Sequence, residues 1–470
     1  MRKTKIVCTL GPASSTEEII TALCHAGMNV ARLNFSHNTH EDHKRRIEMV
    51  KKVRSELNRP VAIMLDTKGP EYRIKTFKSG KVTLNEGDSF CFTTEEIEGD
   101  ETRVSVSYKK LTEDLNEGDT ILLNNGLLSF TVEKIEGANI VCRVTCGGEL
   151  SDRKSMSFPG KVMKQTYLSE QDKEDIRFGV ENGVDFIACS FVSNKQDLID
   201  VHNYLETLGA TDIELIAKIE NQSGVDNIEE ICQHCDGIMV ARGDMGVEIP
   251  YEMLPYTQKK LITKCRMLGK RVITATEMLE SMIHNSRPTR AEISDVANAV
   301  YDGTSAIMLS GETAAGKYPV QAVQAMAKIA ETTELNINYK KRFHNAEFEI
   351  RNIVDAISHA TCGMAIDIDA TAIVACSLSG KTARMVSRFR APVDIIGLTT
   401  DETTWRRLSL SWGVIPAICE KFTSTDVLFY TAKKIAERDL NLKKGERIVI
   451  TGGVTTGESG NTNLIKVENI

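Results

Sequence analysis

The sequence predicts an α/β protein in three parts: a TIM (β/α)8 barrel, an antiparallel β-barrel lid domain inserted into it, and a C-terminal open α/β domain. Three observations predict this. Eight short, continuously apolar runs alternate with amphipathic helical patterns, as expected of strands covered on both faces. One gap between successive runs is several times longer than the rest and carries a period-two pattern instead. The βα rhythm then stops at a polar break, Lys340-Lys341-Arg342, and restarts beyond it.

The eight strand candidates are Lys5–Leu10, Val30–Phe35, Val61–Leu65, Phe186–Phe191, Glu214–Ile219, Gly237–Val240, Arg271–Thr274 and Ser305–Leu309. Amphipathic stretches such as Thr16–Ala26, Ser169–Asn182 and Ala322–Asn336 supply the crossover helices. The long gap lies between Asp66 and Phe186. It holds short alternating runs (Lys81–Leu84, Phe90–Thr93, Arg103–Val106, Thr120–Leu123, Ile140–Arg143) punctuated by Glu86-Gly87-Asp88, Glu117-Gly118-Asp119 and Asn124-Asn125-Gly126. Turn residues at that rhythm mark antiparallel β structure. Inserted in the third βα loop, it overhangs the barrel mouth as a lid. After the break come a helix from Ile353 and strands at Thr371–Cys376, Asp394–Leu398, Val414–Cys419 and Arg447–Thr451. The expected division is 1–69 and 167–340 for the barrel, 70–166 for the lid and 341–470 for the C-terminal domain.

Composition narrows the function. The 58 Lys and Arg against 65 Asp and Glu leave a net charge of −7, so there is no basic footprint for nucleic acid or an anionic membrane. No run approaches the roughly 20 apolar residues of a membrane span, and Met1–Val7 leads into a strand without the apolar core of a signal peptide. Most of the 12 cysteines, such as Cys8, Cys91, Cys142, Cys189 and Cys376, sit in apolar runs and read as small buried hydrophobes in a reducing, cytoplasmic setting. Cys232-Gln233-His234-Cys235 has no second pair to complete a metal site and reads as core thiols.

Barrel chemistry belongs at the C-terminal ends of the strands. Six of the eight predicted ends are polar: Arg32 to Ser36, Asp66-Thr67-Lys68, Lys218-Ile219-Glu220, Arg242-Gly243-Asp244, Thr274-Ala275-Thr276 and Ser310-Gly311-Glu312. Glu220 and Asp244 are hard carboxylates on neighbouring strands, suited to Mg²⁺ or Mn²⁺, and the absence of His and Cys from the set argues against zinc. Lys218 and Glu220, two apart on a strand, share a face. A divalent ion flanked by Lys218 and by Arg32 across the barrel is a device for stabilising a transferring phosphoryl group. A structural ion-pair network of Glu220 and Asp244 with Lys218 and Arg242 is the bland alternative. The backbone N–H groups of Gly243-Asp244-Met245-Gly246 suit an anion. His37, His40 and His43 cannot converge at helical spacing, and His40 and His43 read as a solvated helix face. In the C-terminal domain, Ser377, Ser379, Gly380, Lys381 and Thr382 lie in one loop before a helix, which suits either a phosphate or an ordinary N-cap.

At these residues the sequence resembles the pyruvate kinase family, over essentially its whole length. The matching segments include Lys5–Pro12, Ala31–His37, Leu65–Glu71, Lys218–Asn221, Asp236–Asp244, Arg287–Glu292 and Met308–Thr313. The resemblance implies phosphoryl transfer from phosphoenolpyruvate to ADP, giving pyruvate and ATP, on a barrel, lid and regulatory domain assembled as a homotetramer. It implies Mg²⁺ on Glu220 and Asp244, and Lys218 and Arg32 on the phosphoryl group. It implies the substrate carboxylate on the N–H groups of Gly243 and Asp244 with the Thr276 hydroxyl. It further implies K⁺ on Asn34, Ser36, Asp66 and Thr67, nucleotide contacts from Arg73 and Lys154, and a sugar-phosphate effector at Ser377–Thr382. Members with Glu at the position of Glu71 depend on K⁺. The segment Gly452–Gly460 would close over the effector, with Trp405 as a stacking surface and Arg406 as a second cation. Tyr72, Met245, Glu277 and the hinge Ser155–Thr166 depart from the family pattern. Two other functions fit the same strand ends: a metal-dependent barrel aldolase or lyase acting on pyruvate-like substrates, and a non-catalytic metabolite sensor. The first needs neither a nucleotide lid nor a K⁺ site; the second would have lost Lys218 or a metal carboxylate.

Overall fold

Eight parallel strands close a barrel in chain order: Lys5–Thr9, Val30–Asn34, Ala62–Asp66, Phe186–Cys189, Glu214–Ile219, Gly237–Ala241, Arg271–Ala275 and Ala306–Leu309. The computed structural model describes residues 1–161, 163–422, 424–453 and 462–470. Closure is made by the first and eighth strands, with Lys5 opposite Ala306 and Cys8 opposite Leu309. Period-two alternation divides the strand residues. Val7, Val30, Met64, Phe186, Ile216, Met239, Ile273 and Met308 fill the barrel interior. Ile6, Cys8, Leu33, Leu65, Ile187 and Leu215 face the helix ring.

The helices follow their caps. Thr16 accepts the Ile19 N–H at the start of Glu17–Ala26, and Ser169 accepts the Asp172 N–H at the start of Glu170–Glu181. The helix expected from Ala322 begins earlier, at Pro319, where the imide lacks an N–H that would have gone unpaired anyway. The fourth strand ends two residues early, because Phe191 turns the chain with φ 55°. His40 and His43 are not a solvated face. His43 is buried, stacked on Phe35 at 4.1 Å, with Nε2 2.9 Å from the His37 carbonyl, and His40 pairs with Asp175 at 2.6 Å. The stacking of His43 on Phe35 and the reach of His40 to Asp175, on the helix Glu170–Glu181, were invisible to helical spacing. Cys232 and Cys235 are buried core thiols, with Cys232 Sγ 3.5 Å from Cys265 Sγ.

The insertion is a seven-stranded sheet in the order Tyr72–Arg73, Ser155–Ser157, Thr120–Leu123, Leu128–Glu136, Asn139–Cys146, Ser89–Thr93 and Arg103–Ser105. Only the last pair is parallel. The two edges meet: Ile74 bridges Val106, Ser107 N–H donates to the Arg73 carbonyl and Lys75 N–H to the Ser105 carbonyl, both at 2.8 Å. The sheet thus wraps around Phe90, Phe92 and Phe130. Lys81–Leu84 pairs separately with Gly148–Ser151.

The C-terminal sheet runs Val414–Ile418, Asp394–Thr399, Ala372–Cys376, Arg447–Gly452 and Leu464–Asn469, the last strand antiparallel and unanticipated. This domain caps the N-terminal end of the barrel. Leu410, on the turn Leu408–Leu410, is fully buried within the barrel's interior cluster. Arg384, on the helix Lys381–Arg388, reaches Glu214 and Asp236 at 3.0 Å each. Arg406 Nε pairs with buried Asp185 at 2.8 Å, so it serves the domain interface and not the Ser377–Thr382 loop. Among the described residues no helix is long and apolar enough to cross a membrane.

Candidate active site

At the other end of the barrel, neighbouring strands deliver a row of alternating charges. Asp66 Oδ2 accepts from Arg32 Nε at 2.6 Å, while Asp66 Oδ1 lies 3.1 Å from Lys218 Nζ. Lys218 Nζ in turn lies 3.1 Å from Glu220 Oε1 and donates to Ser190 Oγ at 2.7 Å. Arg32 Nη1 donates to Thr9 Oγ1 at 2.8 Å, which fixes the far end of the row. All four ionic groups are buried.

Burial sets the protonation, and neighbours correct it. Burial opposes the Lys218 charge, but the carboxylates of Asp66 and Glu220 outweigh it and raise the pKa. Burial likewise opposes ionisation of Asp66, where Arg32 and Lys218 prevail and hold the carboxyl below its ordinary value. Glu220 is pushed up to about 7 by burial, with Lys218 opposing and Asp244 adding to the rise. Its Oε2 accepts the Phe191 N–H at 2.5 Å, and its buried Oε1 has no hydrogen-bond donor.

That oxygen, ion-paired with Lys218 but accepting no hydrogen bond, fits a divalent cation. Asp244 stands in the first turn of Arg242–Glu248, exposed and close enough for its charge to act on Glu220. Among the described residues no three His, Cys, Asp or Glu side chains converge as a metal cluster. Mg²⁺ held here would take two protein carboxylates and complete its shell from substrate and water, its usual habit.

Thr276 follows the seventh strand in a costly conformation. A β-branched residue at φ 74°, followed by Glu277 at φ 55°, is strained by about 1–3 kcal/mol per residue. Arg242 holds the strained turn in place: Nη2 donates to the Thr276 carbonyl at 2.6 Å, Nε to the Ala275 carbonyl at 3.2 Å, and Nη1 pairs with Asp295 at 2.7 Å. Arg242 is thus committed to this turn and makes no ion pair with Glu220 or Asp244. Gly243 lies directly below, and a Cβ there would stand 2.9 Å from Thr276 Cγ2. Glu312 accepts the Leu279 N–H at 3.0 Å and the Ser310 N–H at 2.7 Å, so it pins two loops.

Asn34 and Asp66 are register partners at adjacent strand ends. Asn34 Oδ1 accepts the Ser36 N–H at 3.1 Å, and the Thr67 carbonyl accepts the Ser190 hydroxyl at 2.6 Å. Four oxygen-bearing residues of the right hardness for a monovalent cation therefore share one rim. Arg73 and Lys154 lie on adjoining segments at the base of the lid: Arg73 Nη1 donates to the Arg153 carbonyl at 2.7 Å, and the Lys154 carbonyl accepts the Ile74 N–H at 3.0 Å. Arg73 also pairs with Glu71. In the C-terminal loop, Gly380 caps the helix at φ 74°, Ser377 Oγ accepts the Thr382 N–H at 3.4 Å, and Thr382 Oγ1 bonds Thr462 Oγ1 at 2.7 Å. Trp405 Nε1 donates to the Pro416 carbonyl at 3.2 Å. The closing segment, residues 454–460, lies outside the described residues.

Ser190, the Phe191 N–H and Thr9 lie outside the six polar strand ends, and nothing in the sequence marks Arg242 as a clamp. Thr9 and Ser190 end the two apolar runs not counted as polar, so the same strand-end rule finds them.

The sequence matches the family model "Pyruvate kinase, barrel domain" over residues 1–323 and "Pyruvate kinase, alpha/beta domain" over residues 355–468. The chain belongs to the pyruvate kinase family. A pyruvate kinase of Clostridium acetobutylicum is 48% identical over 470 residues, covering 100% of this chain and 99% of the relative. One of Staphylococcus aureus is 48% identical, covering 99% of this chain and 80% of the relative. A crystal structure of a pyruvate kinase from Cryptosporidium parvum superposes with a TM-score of 0.94 at 36% identity, covering 100% of this chain and 96% of that one. The protein is an enzyme of this family, a phosphotransferase on a TIM barrel.

Proposed function

We propose that the chain moves the phosphoryl group of phosphoenolpyruvate to ADP with the residues assembled at the barrel mouth, in a cytoplasmic homotetramer. The observation that supports this most is the buried Lys218 ammonium, charged and held between Asp66 and Glu220 at 3.1 Å each. Its cation is preorganised, so it meets developing negative charge without reorganisation. Arg32, fixed by Thr9 and Asp66, supplies a second cation for the phosphate oxygens. The Gly243 and Asp244 N–H groups and the Thr276 hydroxyl receive the substrate carboxylate, on a turn stiffened by Arg242. Glu220 and Asp244 would hold Mg²⁺ or Mn²⁺, which supplies charge neutralisation for the transfer. Asn34, Ser36, Asp66 and Thr67 would hold K⁺, and Arg73 and Lys154 would meet the nucleotide from the lid. After transfer, the enolate carbon takes a proton from a water oriented at Thr276, whose hydroxyl is too weak an acid to act alone.

A coupled assay following pyruvate from phosphoenolpyruvate and ADP, with Mg²⁺ and K⁺, tests this. ADP-dependent pyruvate formation is expected. Cleavage of a larger 2-oxo acid without nucleotide would favour the aldolase reading, and no turnover of either would favour a sensor.

Regulation by a sugar phosphate at Ser377, Ser379, Gly380, Lys381 and Thr382 is part of the proposal. Lys381 opens a helix whose Arg384 grips Glu214, the first residue of the strand that carries Lys218. A ligand that orders the loop therefore acts on an element tied to the catalytic strand. Titrating fructose 1,6-bisphosphate and sugar monophosphates against subsaturating phosphoenolpyruvate should raise its apparent affinity in wild type. By linkage, phosphoenolpyruvate should tighten effector binding by the same factor. Lys381→Ala with Thr382→Ala should abolish the response; an identical response would exclude the loop.

A further inference from the structure

We propose that a cavity of ≈ 470 Å³ between the barrel and the C-terminal domain is a second anion site, built for a small organic phosphate. Four cations line it. Arg266 comes from the helix Leu254–Met267, Lys341 and Arg342 from Tyr339–Asn345, and Arg390 from just beyond Lys381–Arg388. One carboxylate, Asp302, reaches the lining, and it is already held by Lys259 and by Gln258 Nε2 at 3.4 Å.

The contrast with the rest of the interface carries the inference. Arg271, Arg384, Arg388 and Arg406 are each paired with a carboxylate at 3.2 Å or less. Among the described residues, Arg266, Lys341, Arg342 and Arg390 have none within ion-pair distance. Arg390 is 4% exposed, yet its guanidinium meets only neutral groups. It donates to the Ser387 carbonyl at 2.8 Å, the Gly303 carbonyl at 3.1 Å and Ser305 Oγ at 3.0 Å, and lies over the Trp412 ring at 4.7 Å. The Nε atoms of both Arg266 and Arg390 are buried without an acceptor. Burial lowers the pKa of each, Arg342 beside Arg266 and Arg266 beside Arg390 lower it further, and at Arg390 only Tyr339 and Glu334, the latter beyond ion-pair distance, oppose the fall.

Uncompensated cations facing one another across a cavity are expensive unless an anion completes them. Gly303, at φ 95°, lets the guanidinium of Arg266 come close: a Cβ there would lie 3.3 Å from Arg266 Nη1. The cavity is larger than phosphate alone requires and matches ordinary small-ligand pockets in size. Ile337, Phe348 and Phe389 give it an apolar wall. The complementary ligand is a phosphate dianion carrying a flat or apolar group. Guanidinium forks suit phosphate oxygens in pairs.

Phenyl phosphate is the probe, used on the full chain. Soaked crystals locate it, and titration calorimetry measures it for wild type, Arg266→Gln, Arg342→Gln, and the Lys381→Ala, Thr382→Ala double variant. Density in the cavity is expected, with affinity reduced about 10- to 100-fold by Arg266→Gln and in the same direction by Arg342→Gln. The loop double variant should bind in the cavity as wild type does. Arg342 lies near the rim, so its variant carries the test if Arg266→Gln fails to fold. Density only at the barrel mouth or at the Ser377–Lys381 loop, or unchanged affinity in both arginine variants, would overturn the assignment.

Discussion

Replacing Lys218 by alanine should separate phosphoryl transfer from the proposed protonation of the enolate. The ammonium sits 3.1 Å from each of two buried carboxylates, so its position is fixed before substrate arrives. A phosphoryl oxygen about 4 Å from that charge gains about 4 kcal/mol at an effective dielectric of about 20. If most of that is realised only as charge shifts in the transition state, turnover falls by about 10³. The fold should survive. Removing the cation leaves Asp66 paired with Arg32, and the Mg²⁺ proposed for Glu220 would balance that carboxylate. Two assays are needed: steady-state pyruvate formation, and exchange of the pyruvate methyl protons with solvent. The variant should lose the first by about three orders of magnitude and retain much more of the second, because no phosphoryl group moves in enolisation. Kinase turnover within about tenfold of wild type would refute the role given to Lys218.

Activity should require K⁺: residue 71 is Glu, which supplies no cation of its own, and its charge is already shared between Lys68 at 3.7 Å and Arg73. Assay in tetramethylammonium buffer with Mg²⁺ should show little turnover, and Glu71→Lys should lessen the requirement. Gly243→Ala should raise the KM for phosphoenolpyruvate and lower kcat by about tenfold or more with Tm little changed, because the new methyl displaces Thr276. The fourth concerns the lid contact of Glu248, whose carboxyl meets the Ser157 side chain and the Phe158 N–H and is pushed up to about 7 by burial. A carboxyl raised above its unfolded value binds more protons folded than unfolded between about 4.5 and 7. Its contribution therefore favours the folded state at low pH and is lost as pH rises through 7. Glu248→Gln should flatten that part of the Tm-against-pH curve, and an unchanged slope would exclude the contact as its source.

The barrel was legible because its strands are buried on both faces, so each announces itself as an apolar run ended by a polar residue. Arg32, Asp66, Lys218, Glu220 and Asp244 were legible for the same reason: a charge at the end of such a run has nowhere to point but the barrel mouth. The lid strand Leu128–Glu136 was missed although Leu128, Phe130 and Val132 alternate inward, because its second half, from Glu133, is charged and exposed. Leu464–Asn469 was missed because an edge strand buries so little that its pattern is faint. What no local pattern carries is partnership at long range. Arg406 was placed at the effector loop by its neighbours in sequence, yet it reaches Asp185, 221 residues away. Arg384 finds Glu214 at 170 residues and Asp236 at 148. Sequence spacing fixes the face on which such an arginine lies; only the docking of one domain on another decides which carboxylate it meets, or, at Arg266 and Arg390, that it meets none. The same holds for Thr276, whose φ of 74° follows from the grip of Arg242 on its carbonyl and from no property of threonine. A hydroxyl aimed by a strained turn, as the one proposed to receive the substrate carboxylate is, is therefore predictable from sequence in its identity and not in its direction.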